Sequence, residues 1–347
     1  MKPNALLFAE LFRSRPLLVA LCLSAILVNP SHGQENTAAQ KHTTTAGSTG
    51  NHAGADVRNR PSDNARQQTG VKAESAATSV MAAHPVVYGL LEALTKDSAI
   101  APLRATPANL PPSRHYSYLS GRGAKGFDRA LRHADAVVDL RSIWPDDPLY
   151  PLARQHNIRV VEIDAANPID HRLPGIAATP GADTAAAYPW LNPVNMGRMA
   201  DIIASEIQRL QPDAGPVVEK NLSALRQRLV RVNAQVESAL LDAPSLSVIV
   251  LSPRLETLTA AFNLDVVHTK VPTEWNEQTL SELSKSIRDN EVPVVLMHDT
   301  APAELTAAIS AAGASAVVVE TDGEDPVAVL EAAGKRVVQA LATEGSP

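Results

Sequence analysis

The sequence predicts an α/β protein with two βα lobes, each built on a parallel-type sheet, joined by a long rigid helix. Short apolar strand patterns alternate with amphipathic helical patterns both before and after residues 184–240. Such alternation implies parallel pairing with right-handed crossovers. Between the two series lie long helical patterns, Asn195–Leu210 and Val217–Leu240, interrupted only near Pro212 and Gly215. We expect the first lobe at 78–210, the linker helix at 211–243 and the second lobe at 244–347.

The first 33 residues have the pattern of a cleavable signal peptide. Basic residues precede an apolar run from Pro16 to Val28, and small residues precede a cut after Gly33. The run is short for a bilayer span, although an uncleaved anchor is the alternative. The single cysteine, Cys22, lies in this run, so the mature chain would have neither disulfides nor thiolate metal ligands. We expect a periplasmic protein without stable membrane insertion.

Residues 34–77 are predicted to be a disordered tether, because large apolar side chains are nearly absent from them. His42 and His52 lie there, either as solvated linker residues or as a weak metal-collecting tail. The formal net charge of −6 is mild and no basic stripe is present, which argues against a nucleic-acid partner.

In the first lobe, four strand patterns alternate with helical patterns and long loops. Strands are expected at Ser79–Ala83, Ile100–Thr106, Ala134–Leu140 and Ile158–Ile163, and helices at His84–Ser98, Phe127–His133 and Pro148–His156. The loop Pro107–Gly126 carries His115, and the loop Asp164–Ala187 carries His171. An aromatic-proline turn, Tyr188–Pro193, then leads into the first long helix.

The second lobe repeats the alternation more clearly. Strands are expected at Leu246–Leu251, Val266–Val271, Val292–Met297 and Ala314–Glu320, and helices at Leu255–Asn263, Glu274–Asp289, Pro302–Ala312 and Asp325–Thr343. Ligand groups in parallel sheets lie past the carboxyl ends of the strands. In this lobe those positions are Ser252–Arg254, His298–Thr300 and Thr321–Gly323.

Three motifs in this order resemble the ZnuA/TroA-like zinc/manganese ABC transporter substrate-binding protein family (cluster A-I). They are the Tyr-Pro-Trp-Leu-Asn-Pro turn at 188–193, the helix from Val217, and the Arg-His-Ala-Asp-Ala-Val-Val segment at 132–138. The resemblance covers about residues 80–343. It implies a monomeric solute-binding protein that binds a divalent transition metal between its lobes, zinc first and manganese second. Its partner would be the membrane permease of the ABC transporter.

The resemblance also implies a set of metal ligands. The family's first-lobe histidine falls on His115, and the histidine of its turn falls on Tyr188. Near Ser252 a further family ligand is absent, whereas the last region offers His298 and Asp322. The implied set is therefore His115, Tyr188, His298 and Asp322, in a divergent site where a tyrosine replaces one histidine. A phenol is a reluctant donor because its ordinary pKa is near 10.

Other interpretations of these residues remain open. His115 could be a surface loop histidine, His298 a helix-capping residue, Asp322 part of an Asx turn and Tyr188 a packing residue that fills the lost site. His171 could act in a lid beside the cleft. The remaining histidines are expected on surfaces or in a satisfied core: His84, His133, His156 and His268.

No catalytic motif is present, neither a Gly-x-Ser-x-Gly elbow, nor a phosphate-binding glycine loop, nor His-Glu-x-x-His. We therefore do not expect an enzyme. The alternative function is that of a degenerate family member, a metallochaperone or interaction protein without metal in the cleft.

Overall fold

The computed structural model describes residues 77–170, 172–176, 188–269 and 271–342. These residues form two four-stranded parallel sheets with helices packed against them, as the fold class predicted. The predictions for the signal peptide, for residues 34–76 of the tether and for His171 lie outside the described residues. The predicted division at 210 and 244 stays a prediction, because the described residues belong to one compact unit.

The first lobe contains a sheet with the strand order β2-β1-β3-β4. Its strands are β1 (Thr78–Ala82), β2 (Ile100–Arg104), β3 (Ala136–Asp139) and β4 (Val161–Asp164). Its helices are α1 (Pro85–Thr95), α2 (His115–Leu119), α3 (Ala124–Leu131) and α4 (Leu149–His156). Side chains alternate between the two faces of a strand, so Val80 and Met81 of β1 belong to different apolar clusters. Both faces of this sheet are therefore covered.

The linker consists of α5 (Pro193–Leu210) and α6 (Gly215–Leu240). Pro212 opens a short 3-10 turn between them, because proline has no amide hydrogen to continue α5. One continuous apolar cluster includes Val86 of α1, Leu229 of α6 and Leu330 in the second lobe. The long helix α6 thus shares a core with both lobes.

The second lobe repeats the topology of the first, with the strand order β6-β5-β7-β8. Its strands are β5 (Ser247–Val250), β6 (Asp265–Val266), β7 (Val294–Met297) and β8 (Ser315–Val318). Its helices are α7 (Glu256–Ala261), α8 (Glu277–Asp289), α9 (Ala303–Ala311) and α10 (Pro326–Ala342). In both lobes the strand order reverses beside the first strand, and parallel sheets bind ligands at such a switch point.

Two local predictions differ most from the structure. The predicted loop Pro107–Gly126 contains a 3-10 turn and the short helix α2, which begins at His115. Strand β6 has only two residues instead of the predicted Val266–Val271. It pairs with β5 alone. In the part of the chain that the structure describes, no helix is long and apolar enough to cross a bilayer.

Candidate functional site

A cavity of about 680 Å³ lies between the lobes, near the carboxyl ends of the strands. The first lobe lines it with aromatic side chains, among them Trp144, Tyr188 and Trp190. The second lobe contributes Arg254 and Asp322. Trp190 also links the two lobes, because its indole Nε1 donates a buried hydrogen bond of 2.9 Å to the carbonyl oxygen of Thr321.

His84 lies at the switch point of the first sheet, just after β1 and at the N-cap of α1. It is buried and lines the cavity, with its ring centre 4.7 Å from that of Trp190. Its Nδ1 has no hydrogen-bond partner among the described residues. Burial, and then the charge of His115, lowers the pKa of His84 to about 3. The expectation of a surface or satisfied core histidine is therefore wrong for His84, which is a neutral imidazole with a free nitrogen.

His115 is fully buried at the first residue of α2, so it is not a surface loop histidine. Its Nε2 lies 3.2 Å from the carbonyl oxygen of Leu110, and its Nδ1 has no partner in the described structure. With the proton on Nε2, the ring donates to Leu110 and leaves the Nδ1 lone pair free. Metal-binding histidines commonly have this arrangement. Burial lowers the pKa of His115, although the bond to Leu110 opposes the shift.

Tyr188 forms part of the cavity wall and is buried. Its ring centre lies 4.4 Å from that of Trp190 and 5.0 Å from the guanidinium carbon of Arg254. Burial, and next the carboxylate of Asp322, raises the pKa of Tyr188. The side chain is therefore a packed phenol, and binding a metal would require it to lose a proton that it holds firmly.

Asp322 follows β8 and points one unpaired oxygen into buried space. Its Oδ1 has no hydrogen-bond partner among the described residues, whereas its Oδ2 accepts a bond of 3.2 Å from the hydroxyl of Thr321. Burial raises its pKa, against the effects of Thr321 and Arg254. Asp322 thus offers a carboxylate oxygen that nothing else in the described structure uses.

His298 directly follows β7, but it is not among the residues that line the cavity. Its Nε2 lies 2.7 Å from a carboxylate oxygen of Asp299. Burial, and then the positive charge of Arg254, lowers the pKa of His298, while Asp299 opposes the shift. Its nitrogen would have to leave Asp299 before it could bind a metal in the cavity.

Of the four residues implied as ligands, Tyr188 and Asp322 line the cavity together. His115 lies behind the wall, with its ring centre 6.4 Å from that of Trp144, and His298 lies outside the lining. No three His, Cys, Asp or Glu residues of the described ranges are placed to hold a metal ion. The structure therefore places isolated atoms that could bind a metal around one cavity, but these atoms do not form a complete coordination shell.

Arg254 is the second residue, after His84, whose role the sequence did not reveal. It follows β5 at the switch point of the second sheet, within a 3-10 turn capped by Ser252. Its guanidinium forms no salt bridge with any carboxylate of the described residues. The sequence places Ser252–Arg254 among the ligand positions past the strand ends but assigns Arg254 no role, and for His84 the strand order was the missing signal.

The comparisons with known proteins agree with this architecture. A family model named ZnuA, described as the periplasmic zinc-uptake complex component A, matches residues 129–339. The crystal structure of ZnuA is 22% identical, with a TM-score of 0.59 over 76% of this chain and 99% of that chain. No match was found among curated protein sequences.

Two further solved structures share the fold. The Zn(II)-bound ZnuA-like domain of Streptococcus pneumoniae AdcA is 18% identical, with a TM-score of 0.59 over 77% of this chain and 99% of that chain. FpvC of Pseudomonas aeruginosa in complex with Ni²⁺ is 16% identical, with a TM-score of 0.59 over 78% of this chain and 98% of that chain. At these identities the likeness shows the fold alone.

Proposed function

The chain belongs to the ZnuA family of periplasmic zinc-uptake components, and we propose that it is the solute-binding protein of a metal ABC importer. It would act in the periplasm as a monomer, capture a divalent transition metal in the cleft and deliver it to the membrane permease. Zinc is the first candidate and manganese the second. Solute-binding proteins of this family are not enzymes, and the cargo leaves the protein chemically unchanged.

The observation that supports this proposal most strongly is the set of free donor atoms near one cavity. They are Nδ1 of His84, Nδ1 of His115 and Oδ1 of Asp322, all buried and without partners among the described residues. A buried polar atom without a partner costs about 1–3 kcal/mol, so native proteins keep such atoms mainly where something else satisfies them. Imidazole nitrogen and carboxylate oxygen are the donors that zinc prefers when no thiolate is available.

Within the proposed set of His115, Tyr188, His298 and Asp322, the first and last are the primary donors because their lone pairs are free. Tyr188 would have to lose a firmly held proton, and His298 would have to leave Asp299. These two would join only after the local structure adjusts. His84 is an additional candidate ligand, because it lines the cavity just after β1 and its Nδ1 has no partner among the described residues.

Calorimetric titration of the mature protein with zinc and manganese tests this function. Wild-type protein should bind zinc, and His115→Ala should weaken binding by about 100-fold or more, because zinc needs about three protein ligands to be held firmly. His298→Ala should weaken binding less. His133→Ala is the matched control, since His133 is exposed and remote from the cavity, and it should bind as the wild type does.

A second candidate function, an interaction protein without cleft metal, is favoured by a specific observation. Tyr188 fills the turn position expected to hold a histidine, and it packs against Trp190 and Arg254. If the folded wild-type protein binds neither zinc nor manganese, this second function replaces the first.

A further inference from the structure

The cavity is far larger than a bare metal ion requires. Its volume of about 680 Å³ falls within the range of about 300–1,000 Å³ that is typical of sites for small organic molecules. A dication held only by protein side chains needs a few converging donors and no such space. The dimensions therefore suit a ligand with an organic body.

The described side chains also do not form a complete coordination shell for an ion. Firm binding of zinc takes about three protein ligands, yet no such triplet of His, Cys, Asp or Glu exists within the residues that the structure describes. The free atoms of His84, His115 and Asp322 surround the site singly. A metal in this cleft would have coordination positions that a second molecule can fill.

Arg254 places a permanent positive charge among the candidate donors. Its guanidinium carbon lies 5.0 Å from the ring centre of Tyr188, and it lines the same cavity as Asp322. A cation at this point repels a bare dication and attracts an anion. Because no described carboxylate pairs with it, its planar fork of donors is free, and that fork matches a carboxylate in two parallel hydrogen bonds.

The walls of the cavity fit an organic body. Trp144, Tyr116 and the contacting pair Tyr188–Trp190 provide aromatic surface, and Asn109 and Ser113 add polar groups to the lining. Sites for small molecules typically combine mostly apolar walls with a few placed polar groups.

We propose that the cleft takes up its metal as a complex with a small polycarboxylate chelator. Arg254 binds a carboxylate of the chelator, the aromatic wall contacts its carbon skeleton, and free donors among His84, His115 and Asp322 complete the metal's coordination. This inference rests on the proposed function and specifies its substrate class. It also accounts for the unpaired arginine beside the metal donors, which a bare-ion site would not favour.

The test measures zinc binding in the presence of rising concentrations of citrate, with Trp144 and Trp190 as fluorescent reporters of the cavity. A protein that binds only free zinc loses apparent affinity as citrate competes for the ion. A protein that binds the complex gains affinity instead. We expect zinc to bind at least about tenfold more tightly with equimolar citrate than without it, because a charge-assisted bidentate contact is worth that much.

Variants of Arg254 separate this inference from the proposed function. Arg254→Gln should lose the gain from citrate, by about tenfold to 100-fold. Arg254→Lys should keep part of the gain, since it keeps the charge and loses the planar fork. Arg122→Gln is the control, because Arg122 also lies over a tyrosine, Tyr118, but is exposed and away from the cavity.

The possible outcomes are distinguishable. If citrate weakens zinc binding, or if Arg254→Gln leaves the gain unchanged, the inference is overturned while the proposed function stands. If citrate without zinc binds as tightly as the complex, metal uptake as a chelate is overturned. If neither zinc nor the complex binds, the proposed function fails and the inference fails with it.

Discussion

Asp139 has the most unusual environment of a single side chain outside the cleft. It is the last residue of β3 and fully buried, and neither carboxylate oxygen has a hydrogen-bond partner among the described residues. Burial, and then the nearby Asp147, raises its pKa from 3.8 to about 9. At neutral pH the side chain is therefore an uncharged acid inside the lobe.

The substitution Asp139→Asn should make stability less dependent on pH. The pKa of Asp139 is raised in the folded state. The bound proton therefore stabilises the folded protein fully below the unfolded pKa near 4, and this stabilisation is lost as the pH rises towards 9. Asparagine cannot ionise, so the melting temperature of the variant should rise relative to the wild type between pH 5 and pH 9.

Thermal unfolding across this pH range provides the measurement. Asp242→Asn, at an exposed position after α6, should show no such trend. Parallel curves for wild-type protein and Asp139→Asn would contradict the assignment of a buried neutral acid.

Only some of the candidate site residues could be predicted from the sequence. The resemblance pointed to His115 and Asp322, and the structure gives both a buried free atom, although their role as ligands stays a prediction. His84 could not be identified, because an apolar helical pattern around it predicts only that the helix buries one face. The free state of its Nδ1 depends on which groups surround the ring, and local spacing contains no information about them.

At the level of elements, the turn at 188–193 is joined to α5 by its cap. The side-chain oxygen of Asn192 accepts hydrogen bonds from the amides of Val194 at 2.8 Å and Asn195 at 3.3 Å. Pro193 occupies the first helical position, where its fixed φ is favourable and no amide hydrogen is needed. This cap connects the end of the turn directly to the first turn of α5.

We predict that Asn192→Ala destabilises the protein by about 1 kcal/mol, because two amides at the start of α5 lose their acceptor. Denaturant unfolding measures the change. Gln227→Ala, at an exposed position inside α6, is the control and should alter stability by less than about 0.5 kcal/mol. Equal effects of the two substitutions would show that the cap contributes nothing.

At the level of the whole molecule, the lobes touch along α1 and the segment before α10. Gly89 of α1 has no side chain, and a β-carbon there would collide with the carbonyl oxygen of Glu324 and lie 2.7 Å from Cδ of Pro326. Two salt bridges lie beside this contact, Arg104–Glu324 at 3.2 Å and Arg228–Asp325 at 3.1 Å. The close approach depends on glycine because the obstacle is backbone, which cannot rotate away.

We expect Gly89→Ala to destabilise the protein by about 1–3 kcal/mol, the usual cost of overpacking a tight interior. Gly126→Ala is a matched control on α3, because a β-carbon there meets nothing within 4 Å. That change should be neutral or stabilising by up to about 1 kcal/mol, since alanine suits a helix better than glycine. Calorimetric unfolding compares the two, and a stabilising effect of Gly89→Ala would contradict this interlobe contact.

The sequence by itself determined the alternation of strands and helices, the long linker and the positions of the strand ends. These depend on residue spacing along a short stretch. Local spacing was less informative for β6, which has two residues rather than the predicted Val266–Val271. It also missed α2, which lies within a segment rich in proline, serine and glycine.

Only the tertiary structure decided which groups meet in the cleft. Trp190 and Thr321 are 131 positions apart in the chain and share a buried hydrogen bond. The same arrangement of two switch points brings His84 of one lobe and Arg254 of the other to one cavity. A nitrogen of His84 is free, whereas one of His298 lies against a carboxylate. This difference depends on neighbours brought together by packing, because hydrogen bonds form between groups that are close in space, whatever their separation along the chain.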